Sequence, residues 1–429
     1  MNGSVIPSHS TPGSRIVPVG LAGMLVGIAR RAVFSHLKKI DRGSITVIEG
    51  GERHAFGREG GLAATITVHD PAFYTDMAFG GSIGAGEAYM AGFWSADDLT
   101  RLVRIIVLNR RLLTEMEGGL AAFMQPLHWL MHAFRKNTQA GSRKNISAHY
   151  DLGNDFYRLW LDATMTYSCN IFERQDTTLE DAATAKYDRI CRKLGLKPTD
   201  HVLEIGTGWG GFAVHAAKHY GCRVTTTTIS RQQHDWAKER FAREGVSGRV
   251  ELLFEDYRDL TGKYDKLVSI EMIEAVGHHF LDTYLKVCSE RLKEDGMMAL
   301  QAITITDQDY EAHIRSVDFI RRYIFPGGFI PSVPAITRSL AKVTDLRLFH
   351  LEDLTPHYAR TLQVWRERFF ANLDAVRKLG YPETFIRMWE YYLCYCEGAF
   401  RERYIGSMQM ILTKPDSRPP DILPTLAST

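Results

Sequence analysis

The chain is poor in features that would assign it to a disulfide, metal or nucleic-acid class. Its 429 residues include only six cysteines, Cys169, Cys191, Cys222, Cys288, Cys394 and Cys396, and these keep no metal-ligand or disulfide-framework spacing. Cys394 and Cys396 stand two apart, which suits neither a zinc knuckle nor a redox pair. This usage fits a reducing, cytoplasmic setting. Net charge is almost absent: 52 Lys+Arg face 50 Asp+Glu, so no global field points to nucleic acid. There is no long apolar run. Residues 22–28 are apolar but short, and Arg30-Arg31 follow them, so they read as neither a signal peptide nor a membrane span. One further absence bears on the cofactor. The segment Arg223-Val224-Thr225-Thr226-Thr227-Thr228-Ile229-Ser230 lacks the acid that an NAD site expects near the end of its second strand. Thr228, Ile229 and then Gln233 stand there instead, which weakens hydride transfer and favours S-adenosylmethionine.

What is present is a glycine loop, Glu204-Ile205-Gly206-Thr207-Gly208-Trp209-Gly210-Gly211, placed after an apolar run and before a helical one. A strand that ends in glycines and turns into a helix lets backbone N–H groups approach a nucleotide-like ligand. From Thr199 onward strands alternate with helices, near 201–206, 223–229, 249–254, 264–270 and 297–305, with two more strands at 346–351 and 406–413. That order predicts a doubly covered, mostly parallel α/β sheet. An insertion at 306–340 is placed to close the ligand site.

The remaining chain divides by composition. A Ser/Pro/Gly-rich tail at 1–20 precedes a small domain at 21–117, in which Gly81 to Trp94 reads as turn-rich and 97–113 as helical. Residues 118–146 form a linker. It carries Arg135, Lys136, Arg143 and Lys144 with no acid, beside the apolar run Leu127 to Phe134. Such a segment suits either an anionic bilayer surface or ordinary packing on its own domain. The catalytic domain spans 147–415 and a tail follows at 416–429.

Ordered blocks of residues then carry a resemblance, from about Gly81 to Lys414. They include His149-Tyr150-Asp151-Leu152-Gly153-Asn154-Asp155-Phe156-Tyr157, Met165-Thr166-Tyr167-Ser168-Cys169, the glycine loop, Ile229-Ser230-Arg231-Gln232-Gln233 and Asp256-Tyr257-Arg258-Asp259. Glu274-Ala275-Val276-Gly277, Tyr323-Ile324-Phe325-Pro326-Gly327-Gly328 and the stretch from Tyr358 to Phe369 complete them. In these the chain resembles the cyclopropane-fatty-acid-phospholipid synthase family. The resemblance implies a Rossmann-like class I methyltransferase fold, with a seven-stranded sheet whose last strand is antiparallel, behind a smaller lipid-handling domain. It implies methyl transfer from S-adenosylmethionine to a cis double bond of a phospholipid acyl chain. The resulting carbocation would lose a proton to bound bicarbonate and close to a three-membered ring.

The partner implied is a membrane phospholipid met at the inner membrane face, and the family suggests a homodimer. Cofactor contacts map to Tyr167, Ser168, Gly206, Gly208, Thr228, Ile229, Gln233, Tyr257, Arg258 and Ile270. The bicarbonate site maps to the backbone of Cys169 and Ile303, to Glu274 and Tyr358, and to Gln301. Aromatic candidates for a developing cation are Tyr167, Phe172, Tyr323, Phe325 and Tyr358.

Two positions depart from the family. Gln301 stands where a His is frequent, and Gln cannot titrate near neutrality. Glu271 stands where many members have Gly, three residues before Glu274. If both carboxylates face the cavity, their repulsion raises one pKa; if Glu271 points away, it is a surface or ion-paired group. These departures bear on the product, so a non-cyclic methyl product is the alternative. A small-molecule methyltransferase and a non-catalytic lipid-binding module are rival classes. The first leaves the basic apolar linker without a role, and the second predicts no dependence on Glu274 or Tyr358.

Overall fold

The computed structural model describes residues 19–111 and 152–422, of which 19–22 are described by backbone alone. The basic linker at 118–146, the block His149-Tyr150-Asp151, most of the N-terminal tail and the last seven residues lie outside this description. Among the described residues, no helix is long and apolar enough to cross a membrane.

The N-terminal region builds a four-stranded sheet of order β2-β1-β3-β4, from β1 (Ser44–Glu49), β2 (Glu52–Gly57), β3 (Ala63–Val68) and β4 (Trp94–Ala96). Strand β1 alternates, sending Ile45 and Val47 into the core, as a sheet covered on one face requires. Helices α1 (Val19–Leu37), α2 (Ala72–Met90) and α3 (Leu99–Leu108) accompany it, and Asp98 caps α3 by accepting from the Arg101 N–H.

The expected turn-rich stretch after Gly81 is instead the second half of α2. Only Gly81 leaves helical geometry, at φ 57° and ψ −137°, and it kinks the helix. The glycines that follow serve close approach. A Cβ on Gly84 would lie 2.0 Å from the Asp76 carbonyl oxygen, and one on Gly86 would lie 2.5 Å from the Phe319 ring. Sequence composition does not separate these two uses of glycine.

The second sheet has seven strands in the order β10-β11-β9-β8-β5-β6-β7. They are β5 (His201–Ile205), β6 (Arg223–Thr227), β7 (Val250–Leu253), β8 (Tyr264–Ile270), β9 (Leu292–Ile305), β10 (Arg347–Asp353) and β11 (Ile405–Thr413). Only β11 runs antiparallel to its neighbours, lying between β9 and β10. This is the expected class I methyltransferase sheet. The longer helices of this region are α4 (Leu179–Leu194), α5 (Arg231–Arg243), α6 (Leu281–Arg291), α7 (Val333–Val343), α8 (Thr355–Ala371) and α9 (Glu383–Arg401). Helix α4 starts at a Thr178 cap and stops at Gly195 in the left-handed conformation.

Helix α9 joins the two regions, because it packs on α8 and also on α2 and α3. Arg104 of α3 pairs with Glu402 at 2.6 Å, and Arg387 donates to the Trp94 carbonyl at 2.7 Å. At the crossing with α3 there is room only for glycine: a Cβ on Gly398 would lie 2.6 Å from Val103 Cγ1. We predict that Gly398→Val lowers stability by about 1–3 kcal/mol through overpacking, read as a lower thermal midpoint; an unchanged midpoint would show that this contact is loose.

Candidate active site

Three glycines shape the rim above β5, and each does a different job. Gly206, Gly208 and Gly210 all have positive φ, at 102°, 52° and 85°. A Cβ on Gly210 would lie 2.6 Å from the Phe241 ring of α5, so this glycine admits helix packing. A Cβ on Gly206 would meet Met272 at 3.2 Å, whereas one on Gly208 would meet nothing within 4 Å. Gly208 therefore borders open space. That space is a cavity of about 680 Å³ whose walls include Tyr167, Ser168, Gly206, Gly208, Thr228, Ile229, Gln233, Tyr257 and Ile270.

Gln233 is buried and its Oε1 accepts from Thr228 Oγ1 at 2.9 Å, so it is not an exposed helix residue. The Tyr257 hydroxyl is buried in the same wall with no hydrogen-bond partner among the described residues. An open glycine rim, a threonine-tipped second strand and an unpartnered phenol fit an adenosyl group. Arg258 is the exception among the expected contacts. It does not line the cavity, because its guanidinium is held by the buried Asp256 carboxylate through two bonds of 2.7 Å.

Two half-buried carboxylates, Glu271 and Glu274, also line the cavity, and Glu271 decides the site's character. Its φ of 49° is in the left-handed region, where a glycine costs nothing and a glutamate is strained. The side chain turns inward. Glu271 Oε1 accepts from the Cys169 N–H and from Gln301 Nε2, both at 2.9 Å, and Oε2 accepts from the Tyr358 hydroxyl at 2.7 Å. The expected bicarbonate donors are thus already occupied by a carboxylate of the chain itself. Cys169 and Gln301 do not line the cavity but stand behind Glu271. The other expected members are Ile303, whose N–H donates to Glu274 Oε1, and Glu274, whose Oε2 is buried without a partner among the described residues. With three donors spent and two carboxylates already present, these residues do not fit a further bicarbonate ion.

The two carboxylates are not equivalent. Burial raises the pKa of both. For Glu271, the bonds from Gln301, Cys169 and Tyr358 and the charge of Lys186 oppose that rise. For Glu274, burial and then the neighbouring Glu271 charge push the pKa to about 8. Of the two, Glu274 is therefore the one driven toward its neutral form, while three donors and Lys186 favour the charge on Glu271. Lys186 is fully buried, donates to Ser168 Oγ at 2.8 Å, and is lowered to about 8 mainly by burial.

Aromatic rings supply the rest of the reaction space. Tyr167, Phe325 and Tyr358 line the cavity, and the Tyr167 hydroxyl meets that of Tyr392 at 2.8 Å. Phe172 and Tyr323 do not line it. Phe172 lies beneath the Arg360 guanidinium, and the Tyr323 hydroxyl donates to Glu87. Sequence reasoning missed the opposite wall, where Tyr391, Tyr392, Cys396 and Phe400 of α9 face Val103 and Ile106 of α3. Their helical spacing reads as ordinary core. The cavity thus continues from the glycine rim into an apolar space between the two regions.

Comparison with known proteins agrees with this geometry. The family described as mycolic acid cyclopropane synthetase matches residues 137–410. A tuberculostearic acid methyltransferase of Mycobacterium tuberculosis is 39% identical, over 82% of this chain and 84% of its own length. A cyclopropane-fatty-acyl-phospholipid synthase of Escherichia coli is 37% identical, over 83% of this chain and 89% of its own. A solved mycolic acid cyclopropane synthase complexed with SAH and CTAB superposes with a TM-score of 0.59 at 34% identity, covering 63% of this chain and 98% of that one. The chain belongs to the mycolic acid cyclopropane synthetase family and is an S-adenosylmethionine-dependent methyltransferase of the cyclopropane synthase type.

Proposed function

We propose that this enzyme methylates the cis double bond of a phospholipid acyl chain and that Glu271, in place of bicarbonate, removes the proton that completes the reaction. The observation that carries this reading is the Glu271 carboxylate seated on Cys169 N–H, Gln301 Nε2 and the Tyr358 hydroxyl. Bound S-adenosylmethionine supplies an electrophilic methyl group on a sulfonium. An alkene needs no deprotonation before it attacks that group, so the site's first task is alignment in a water-poor space. The apolar wall from α3 and α9 suits an acyl chain, and Tyr167, Phe325 and Tyr358 present rings to the carbocation left on the chain. Glu271, ionised beside them, takes a proton from the transferred methyl carbon; the C–H electron pair closes the ring to a cyclopropane. Glu274 stays neutral and leaves Glu271 as the single nearby anion.

A second reading has an observation of its own. Glu271 occupies a position that the bicarbonate-using pattern leaves to glycine, and one similar protein is named for tuberculostearic acid methylation. Both favour a non-cyclic product: a 1,2-hydride shift moves the cation to the methyl-bearing carbon, and loss of a methyl proton to Glu271 then leaves an exomethylene group. The acceptor is proposed to be reached from a bilayer. Exposed Met24, Leu25 and Ile28 on α1 support this, as does the basic apolar composition at 118–146. Binding to anionic vesicles should weaken with salt, and vesicle-independent turnover of a soluble acceptor would contradict it.

Three outcomes test the chemistry. Glu271→Gln should lower kcat by about 10²–10⁴-fold with unchanged S-adenosylmethionine affinity, the range for loss of a general base. Glu271→Gly should be equally slow without bicarbonate yet recover on adding it, because it frees the three donors; wild-type rates in either variant in bicarbonate-free buffer would refute the base. Proton NMR of lipids from a host expressing the chain separates cyclopropyl from exomethylene or branched-methyl signals. Absence of every methylated product would exclude both readings.

Stability should also report Glu274. Its folded pKa of about 8 lies above the unfolded carboxylate value, so the native state binds the extra proton and stability falls as pH rises between the two. Glu274→Gln should flatten that fall in thermal midpoint between about pH 5 and 8; an unchanged slope would contradict the protonated assignment.

A further inference from the structure

A row of paired polar side chains crosses the sheet next to Glu271. Glu352 of β10 stands opposite Gln409 of β11, Gln409 opposite Gln301 of β9, and Gln301 opposite Ile270 of β8, the residue before Glu271. Lys193 of α4 closes over the row. Its Nζ donates to Glu352 Oε2 and to Gln409 Oε1, each at 2.6 Å. Gln409 Nε2 donates to Gln301 Oε1 at 3.2 Å, and Gln301 Nε2 donates to Glu271 Oε1 and to the Cys169 carbonyl, at 2.9 and 3.2 Å. Gln301 and Gln409 are at most 1% exposed and Lys193 is 8% exposed.

The direction of this chain is dictated by its ends. An ammonium has only donors, so the amide oxygen of Gln409 must face it and its NH₂ must face Gln301. Gln301 must then offer its oxygen to Gln409 and both N–H groups to Glu271 and to the Cys169 carbonyl, neither of which can donate. Without Lys193 the Gln409 amide can turn over, which would set its oxygen against the Gln301 oxygen and weaken the hold on Gln301 from that side.

We propose that Lys193 and Gln409 are positioning residues that act through Gln301, fixing its amide so that it donates to the Glu271 carboxylate and keeps that group ionised and ready to accept a proton. The inference rests on Glu271 being the base. It also explains how a residue that cannot titrate serves where a histidine is frequent in the family: its polarity is set from the far side of the sheet. Glu352 is the outer anchor, where bonds from Arg189 and Lys193 overcome burial and hold its pKa to about 2. The other groups facing Glu271 are Glu274 beside it, Lys186 on α4, Tyr358 on α8, Tyr392 on α9 and the Cys169 thiol, and the substitutions below leave all of them in place.

The test is the pH dependence of kcat/KM in Gln409→Met and Lys193→Met. Both should shift the acid limb upward by roughly one pH unit, the equivalent of one lost hydrogen bond to a charged group. Rates on that limb should drop about tenfold while rates well above it and calorimetric S-adenosylmethionine affinity stay at wild-type values. Lys193→Arg, which still donates, should restore the wild-type limb. A folded Gln409→Met enzyme whose profile superposes on the wild type overturns the proposal, and it decides the matter if Lys193→Met does not fold. If Glu271→Gln is inactive while Gln409→Met leaves the limb in place, only the relay fails. If Glu271→Gln retains full turnover, the base and the relay fall together.

Discussion

A half-buried carboxylate held on a strained backbone is the constraint around which the rest of this active site is arranged. Burying one charge in a protein interior is unfavourable unless donors replace the lost water, and burying two side by side is worse. Glu271 meets the first condition with a backbone N–H, an amide and a phenol. For Glu274, burial and the neighbouring Glu271 charge push the carboxyl up to about 8, toward its neutral form. The left-handed backbone at Glu271 turns its side chain back under β9, toward Gln301 and Tyr358. A glycine there would leave those donors for an external anion. In this chain one of its own carboxylates occupies those donors.

The cavity connects this anion to two different kinds of wall. On the sheet side, glycines and threonines admit a polar cofactor. On the other, α3 and α9 give an apolar space suited to an acyl chain. Helix α9 makes the two walls one site, because its aromatic face packs on the N-terminal helices and its glycine lets α3 approach closely. The N-terminal region therefore helps wall the cavity, through Val103 and Ile106 of α3.

Much of this was legible in the sequence, for reasons that are local. Strands alternating with helices fix a parallel sheet, and a glycine loop after the first strand marks its ligand edge. Residues whose task is set by backbone approach, such as Gly208, were readable because few residue types can serve there. Residues whose task is set by a partner distant in sequence were not. Arg258 is a separate case: its partner Asp256 is only two residues earlier, but spacing alone does not show that the guanidinium turns to it and away from the cavity. Tyr391 and Phe400 have the spacing of core residues, and only the fold reveals that the space beside them is hollow. Whether Glu271 faced inward could not be settled from spacing, because its direction depends on one backbone angle and on donors 30 and 102 residues away.

The most direct test of the built-in base is the rate of the wild-type enzyme in rigorously carbon-dioxide-free buffer, compared with the same buffer after bicarbonate is restored. A base supplied by Glu271 predicts equal rates in the two. A rate that collapses on depletion and returns with bicarbonate would contradict the account.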